Sequence, residues 1–300
     1  MHKTEMSMTS ETTTIYLNGE WQEAHAGNVR YYQPSLHAGS GVMELMRAYT
    51  TESGPHIVQA AAHFDRLRQS AQHTHLDLPY STEELTQLAE LLLQKNNLNN
   101  AFVRAMVYLE GAEDDTDNPD ANVLLTAWNA GSPTQYHSLR VMTSNYHLPA
   151  DHNLVASKEI GHQTNTMVAA HEARKHGFDN ALLLNHKGYV VGGPSATFFF
   201  ELNDTLYTAP KDQSAPSITR QLVIELAKEI GYQVVETNFK PEEVRGADAA
   251  FFASTSREIQ GIGSLDKIVF TKDWEDSMGF NLLLRYRKAA QEQTMPLGII

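Results

Sequence analysis

Ser157–Gly177 reads SKEIGHQTNTMVAAHEARKHG, and the fold turns on how this stretch is read. Lys158 stands ahead of a run with Met167, Val168, Ala170 and Ala173 at helix-like spacing, closed by Gly177. ALLLNHKGYVV follows at 181–191, an apolar strand, a turn at His186–Gly188 and a second strand. Two readings of Lys158 stand. It is a solvated surface lysine, or a desolvated one whose amine attacks a carbonyl as a Schiff-base lysine. Spacing does not choose between them.

Composition narrows the classes. The chain has 300 residues, 41% hydrophobic and 20% charged, ordinary values for one large or two average globular domains. A net charge of −13 argues against a nucleic-acid or anionic-membrane surface, while leaving room for a local cationic pocket. Cysteine is absent, which removes disulfides, thiolate metal sites and cysteine nucleophiles and fits a cytoplasmic protein. No apolar run reaches the roughly 18 residues of a membrane span. The polar start MHKTEMSMTSETTT lacks a signal-peptide core and reads as a flexible tail over 1–13.

Along the chain, Asn18-Gly19 between Thr14–Leu17 and Trp21–Glu23 predicts a hairpin. Pro34–Gly41 reads as a turn-rich approach to the strand VMELMRAYTT, which carries Arg47. Helical spacing spans His63–Leu76, and Ser81 with Glu84 forms a capping-box pattern before Leu85, Leu88, Leu91 and Leu92. AFVRAMVYL at 101–109 is a strand with Arg104 inside it, Glu110–Ala121 an acidic loop, and Asn122–Trp128 another strand. Further strands are expected at Ser138–Thr143, Thr205–Thr208, Gln233–Thr237 and Ala249–Ala253, with helices at 166–176, Ala215–Ile230 and Met278–Gln293. Alternating strands and helices predict two mixed α/β or α+β domains, 14–130 and 137–300, joined by a linker over 131–136.

Several places could carry chemistry. Ser217–Arg220 opens a helix, where amides and helix dipole suit phosphate, and Ser254-Thr255-Ser256 supplies hydroxyls at a turn. Each also reads as an ordinary cap or turn. Arg47 and Arg104 lie inside apolar strands and need anionic partners, either a buried carboxylate or a phosphate or carboxylate ligand. The pairs His73/His75 and His171/His176 match no metal-ligand spacing, so no catalytic metal is expected.

The order of these features resembles the class IV aminotransferases, the two-domain fold-type IV pyridoxal-phosphate enzymes with a D-amino acid aminotransferase-like fold. The resemblance runs from about Ile15 to Ile268. IYLNGEW resembles the family's opening hairpin and LHAGSGVMELMRAY its phosphate-arginine segment. AAHFDRLRQSA is similar to H-x-x-R-L-x-x-S-A, with His63, Arg66, Leu67, Ser70 and Ala71. Lys158 precedes Glu172-Ala173 as the Schiff-base lysine precedes the family's E-A pair, and SITRQLVIELAKEIG and ADAAFFASTSREI resemble its later segments.

The resemblance implies pyridoxal 5'-phosphate on a catalytic Lys158, with Arg47, Ile218, Thr219 and Thr255 around the phosphate and Ser256 among the other cofactor contacts. It places Arg104 and Ser256 against substrate. It also implies a homodimer acting on an amino acid, branched-chain-like, and a 2-keto acid. Two cofactor positions depart from the family. Gly192 stands where a glutamate meets the pyridine nitrogen, and Gln163 where a tyrosine meets the phenolic oxygen. Ser217 replaces the glycine of G-I-T-R, and Glu201, nine residues beyond Gly192, is the next glutamate along the chain.

Three functions follow: an aminotransferase, an aminodeoxychorismate-type lyase, or a non-catalytic homologue with weakened cofactor chemistry. Gly192→Glu is expected to raise transamination if the missing carboxylate is limiting. The acidic Glu110–Asn118 disfavours glutamate-like second substrates unless Arg104 or a partner subunit offsets it, and L or D preference stays open.

Overall fold

The computed structural model describes residues 13–25, 34–109, 121–131, 137–148, 157–213 and 216–296. The expected tail up to residue 12, linker residues 132–136 and the acidic loop 110–118 lie outside the described residues. The chain divides into two compact units, Met1–Pro133 with Glu159–Gly161, and Thr134–Lys158 with His162–Ile300.

The first unit carries strands β1 (Thr14–Leu17), β2 (Glu20–Glu23), β3 (Gly41–Thr51), β4 (Gly54–Ile57), β5 (Ala101–Leu109) and β6 (Ala121–Asn129). They form one antiparallel sheet in the order β2-β1-β6-β5-β3-β4. Asn18 and Gly19 take positive φ of 49° and 94° at the β1–β2 turn, as the Asn-Gly pair predicts. A helical turn, α1 (Pro34–His37), stands where the sequence reads only turns.

Helices α2 (Ala60–His73) and α3 (Thr82–Lys95) cover one face of this sheet. Val42, Met46, Phe64, Leu67, Leu92 and Val103 close the core between them. Glu44 lies on that face and is fully enclosed. Arg66 donates to both its oxygens at 2.7 Å, and His63 Nδ1 lies 2.8 Å away. The predicted capping box on α3 is present, with Glu84 N–H donating to Ser81 Oγ and Ser81 N–H to Glu84 Oε2.

Helix α2 ends before Leu76, so that residue's helical spacing has another origin. His75 takes φ +56° and Leu76 N–H donates to Ala71 O at 2.8 Å, a Schellman closure that turns Leu76 back into the core. Leu98, behind Asn97 at φ +52°, repeats the device on α3.

The second unit contains β7 (Leu139–Leu148), α4 (Gln163–Lys175), β8 (Asn180–Asn185), β9 (Val190–Gly192), β10 (Thr197–Leu202) and β11 (Thr205–Thr208). After these come α5 (Ile218–Glu229), β12 (Gln233–Glu236), β13 (Ala249–Ser254), β14 (Glu258–Leu265), β15 (Ile268–Val269) and α6 (Met278–Glu292). Its mixed sheet runs β12-β11-β10-β13-β14-β7-β8-β9, with β15 on β14. Crossovers through helices give the parallel pairs β11–β12 and β7–β8.

Phe198, Phe200, Phe239 and Phe252 form an aromatic core, with neighbouring ring centroids 4.9–6.3 Å apart. Helix α4 settles closely on β7 and β8 because Ala169 and Ala173 meet Ala181, Leu183 and Val191. It starts at Gln163 rather than near 166. Its polar first turn exposes Thr164 and Asn165 to solvent, so it needs no apolar spacing to be helical. No helix among the described residues is long and apolar enough to cross a membrane.

Candidate active site

In the first unit, alternation along β3 sends Glu44 toward the helices and Arg47 to the opposite face. Arg47 is 6% exposed. It donates to Asn100 Oδ1 at 2.9 Å and lies 4.6 Å from the Phe102 ring centroid and 5.2 Å from that of Tyr49. Arg104 is on the same face, in register with Leu45 while Arg47 is in register with Phe102. Its guanidinium stacks 5.2 Å from the Trp128 centroid, its Nε is buried without a partner, and burial pushes its pKa down.

No carboxylate among the described residues pairs with either arginine. The buried ion pair expected as one explanation of strand arginines does occur in this sheet, but it engages Arg66 of α2. Aromatic faces give Arg47 and Arg104 partial compensation, worth about 0.5–2 kcal/mol each.

In the second unit, Ser217 caps α5, its Oγ accepting from Arg220 N–H at 3.1 Å. The preceding helical amides, Ile218 and Thr219, make no hydrogen bond among the described residues, as helix geometry requires of a first turn. Thr219 Oγ1 lies 3.5 Å from Thr255 Oγ1, across to the β13–β14 turn. In that turn Ser254 Oγ lies 3.5 Å from Ser256 Oγ and accepts from Arg257 N–H. Two amides, two threonine hydroxyls and a helix dipole therefore converge, a setting suited to a phosphate dianion. Arg220 is structural, its guanidinium bound to Ala209 O and Glu236.

Lys158 is half-buried, next to buried Ser157 and five residues before Gln163, the first residue of α4. Gln163 Oε1 accepts from Ser195 Oγ at 3.1 Å. Ser195, at φ +56°, belongs to the tight turn after β9, closed by Gly193 N–H to Ala196 O at 2.8 Å. The two departures from the family pattern thus adjoin one turn.

Gly192 has φ +144°, and a Cβ built on it would lie 2.5 Å from Ala196 O. The sequence expectation for Gly192→Glu therefore meets a backbone obstacle: the carbonyl occupies the space where the side chain would begin. Glu201 does not substitute for the missing glutamate. It is buried, bound to Lys272 and to Met278 N–H at the start of α6.

Sequence reading missed Ser195, which a lone serine after a proline does not signal. It also missed Phe102 and Trp128. Their place beside the arginines follows from strand alternation once the register is known.

Residues 41–265 match the family model for amino-transferase class IV. The branched-chain-amino-acid aminotransferase of Pseudomonas aeruginosa is 31% identical over 268 residues, 87% of each chain. The Escherichia coli K12 enzyme of that name is 29% identical over 269 residues, again 87% of each. Among solved structures, the branched-chain aminotransferase of Thermoproteus uzoniensis with norvaline superimposes with a TM-score of 0.87 at 28% identity, covering 94% of this chain and 96% of that one. A T.th. branched-chain amino acid aminotransferase complexed with N-(5'-phosphopyridoxyl)-L-glutamate gives 0.89 at 27% identity, covering 95% and 96%. The chain belongs to the class IV aminotransferases.

Proposed function

We propose that this aminotransferase uses pyridoxal 5'-phosphate on Lys158 to move an amino group between a branched-chain-like amino acid and a 2-keto acid. The observation that carries the reading is the anion-receptive end of α5, where the Ile218 and Thr219 amides meet the Thr219 and Thr255 hydroxyls. The phosphate of the cofactor fits there. When bound, the cofactor supplies the electron sink for a carbanion at the substrate Cα.

The chain's own residues have separate tasks. Ile218, Thr219, Thr255 and Ser256 hold the phosphate, and Arg47 adds a guanidinium that no carboxylate among the described residues neutralises. Lys158 would hold the cofactor, and its free amine would carry a proton to or from the substrate Cα. Arg104, a cation on an apolar and aromatic face, orients a substrate carboxylate, with Ser256 as a further polar contact. The branched-chain preference rests on the names of the relatives. The same reading has the enzyme working as a homodimer in the cytoplasm.

The other end of the cofactor fits less well. Glycine at 192 offers no carboxylate to a ring nitrogen, and a Cβ built there would meet the Ala196 and Thr197 backbone. That observation favours a second reading, a homologue with weakened cofactor chemistry or a lyase-type member that asks less electron withdrawal of the ring.

Absorption spectra distinguish the readings. Protein mixed with pyridoxal phosphate should gain a near-visible band that borohydride fixes and Lys158→Ala abolishes. Single-turnover mixing with amino acids should then convert the band, fastest with branched-chain substrates. A chain that stays colourless sinks both enzyme readings, and a band that no amino acid converts sinks the aminotransferase.

A further inference from the structure

We infer that Gly39, Gly41 and Ile160 form a backbone clasp that positions Lys158. The inference rests on the reading that Lys158 carries the cofactor. Glu159–Gly161 belongs to the first unit, although the chain on both sides of it belongs to the second. The reason is local. Ile160 N–H donates to Gly41 O at 2.9 Å, and Glu159 forms an antiparallel bridge with Val42 at the start of β3. Lys158 is peptide-bonded to this tethered segment, so its Cα is fixed one residue from a strand pairing.

The glycines make the approach possible. A Cβ on Gly39, at φ +70°, would lie 2.9 Å from Gly161 Cα and 3.2 Å from its N. A Cβ on Gly41 would meet Val107 O at 2.9 Å and Ile160 Cδ1 at 2.8 Å. The Gly39 and Val107 contacts are against backbone, which cannot swing aside as a side-chain tip can. By contrast, Gly54 in the same unit has φ +114° with nothing within 4 Å of a built Cβ. It is conformationally special without being a contact. Gly39 and Gly41 are both. Close packing of two chain segments where a lysine amine must meet a carbonyl is a positioning device, since small displacements of a reacting group lower its rate steeply.

The test separates covalent linkage from non-covalent binding in the full chain. Covalent linkage of pyridoxal 5'-phosphate requires Lys158; 4-deoxypyridoxine 5'-phosphate has no aldehyde and reads non-covalent binding alone. Gly39→Ala should slow formation of the borohydride-fixed band by about tenfold or more. Its affinity for the deoxy compound should stay within about twofold of the parent. Gly54→Ala should leave both readouts unchanged. If Gly39→Ala does not fold, Ile160→Ala, which keeps the bond to Gly41 O but removes the side chain packed over Gly41 and adds no clash, should give a smaller loss of the same selective kind. Unchanged linkage in both variants, or equal loss of both ligands, overturns the clasp. A parent protein that shows no borohydride-fixed band overturns the Lys158 reading, and this inference with it.

Discussion

Replacing Gly192 tests the tight turn that follows β9 directly. A Cβ there would sit 2.5 Å from Ala196 O, nearly 1 Å inside ordinary carbon–oxygen contact. That carbonyl is already engaged, accepting from Gly193 N–H at 2.8 Å. Moving it loses a buried hydrogen bond, about 1 kcal/mol. Holding an L-residue at φ +144° adds about 1–3 kcal/mol of backbone strain. Gly192→Ala should therefore destabilise the β9–β10 turn by about 2–4 kcal/mol. Gly188→Ala, at φ +80° with open space around it, should lose only about 1 kcal/mol. The assay is amide hydrogen exchange over the peptide spanning Val190–Thr197, supported by urea unfolding. Gly192→Glu carries the same Cβ, so it should lose protection there and fail to accelerate amino transfer. Gly192→Ala within about 0.5 kcal/mol of the parent would refute the geometric argument. So would a stable Gly192→Glu enzyme with raised turnover.

Three further outcomes are expected. Arg104→Met keeps the bulk over Trp128 but removes an unpaired guanidinium; it should weaken 2-keto acid binding about 10- to 100-fold, read as KM, with little loss of stability. Glu172 ties α4 to β7 through Ser144 Oγ and the Asn145 amides. Burial pushes its pKa up, but these hydrogen bonds and His176 outweigh that and hold it low. Its contribution is therefore present above the ordinary glutamate range and lost as pH falls through the lowered value; exchange protection of α4 should drop in that acid window and show no such step in Glu172→Gln. Finally, Gln163→Ala and Ser195→Ala should be coupled, with a double-mutant cycle departing from additivity by about 0.5 kcal/mol or more in cofactor affinity.

What the sequence made legible follows from which forces act locally. The Asn18-Gly19 turn, the Ser81–Glu84 capping box and the strand Ala101–Leu109 are written in neighbouring residues, and the structure has each of them. Leu76 misled because a Schellman closure places a C-terminal apolar residue on the same core side as the helix face. Arg47 and Arg104 announced a need for anions, but their aromatic neighbours come from other positions in the β-ladder and only the register brings them together. The assignment of Glu159–Gly161 to the first unit was invisible, because it depends on two distant glycines, Gly39 and Gly41, admitting a close backbone approach.

Gly192 and Gln163 look, along the sequence, like two separate losses at opposite ends of a cofactor ring. In the fold they adjoin one structure. Because residue 192 lacks a Cβ, the Ala196 carbonyl can close on it. That closure sets the Gly193–Ala196 turn, and the turn holds Ser195 at φ +56° against Gln163. A tyrosine at 163 would take the place of the amide that Ser195 binds, and a glutamate at 192 would push away the carbonyl that shapes the turn. Neither family residue can return alone without disturbing the other's surroundings. The phosphate-binding end, built on the α5 cap and the β13–β14 turn, shares no hydrogen bond with that turn among the described residues. On the proposed reading, cofactor anchoring and ring electronics would thus fall to separate pieces of backbone, so that the one could be kept while the other is rebuilt.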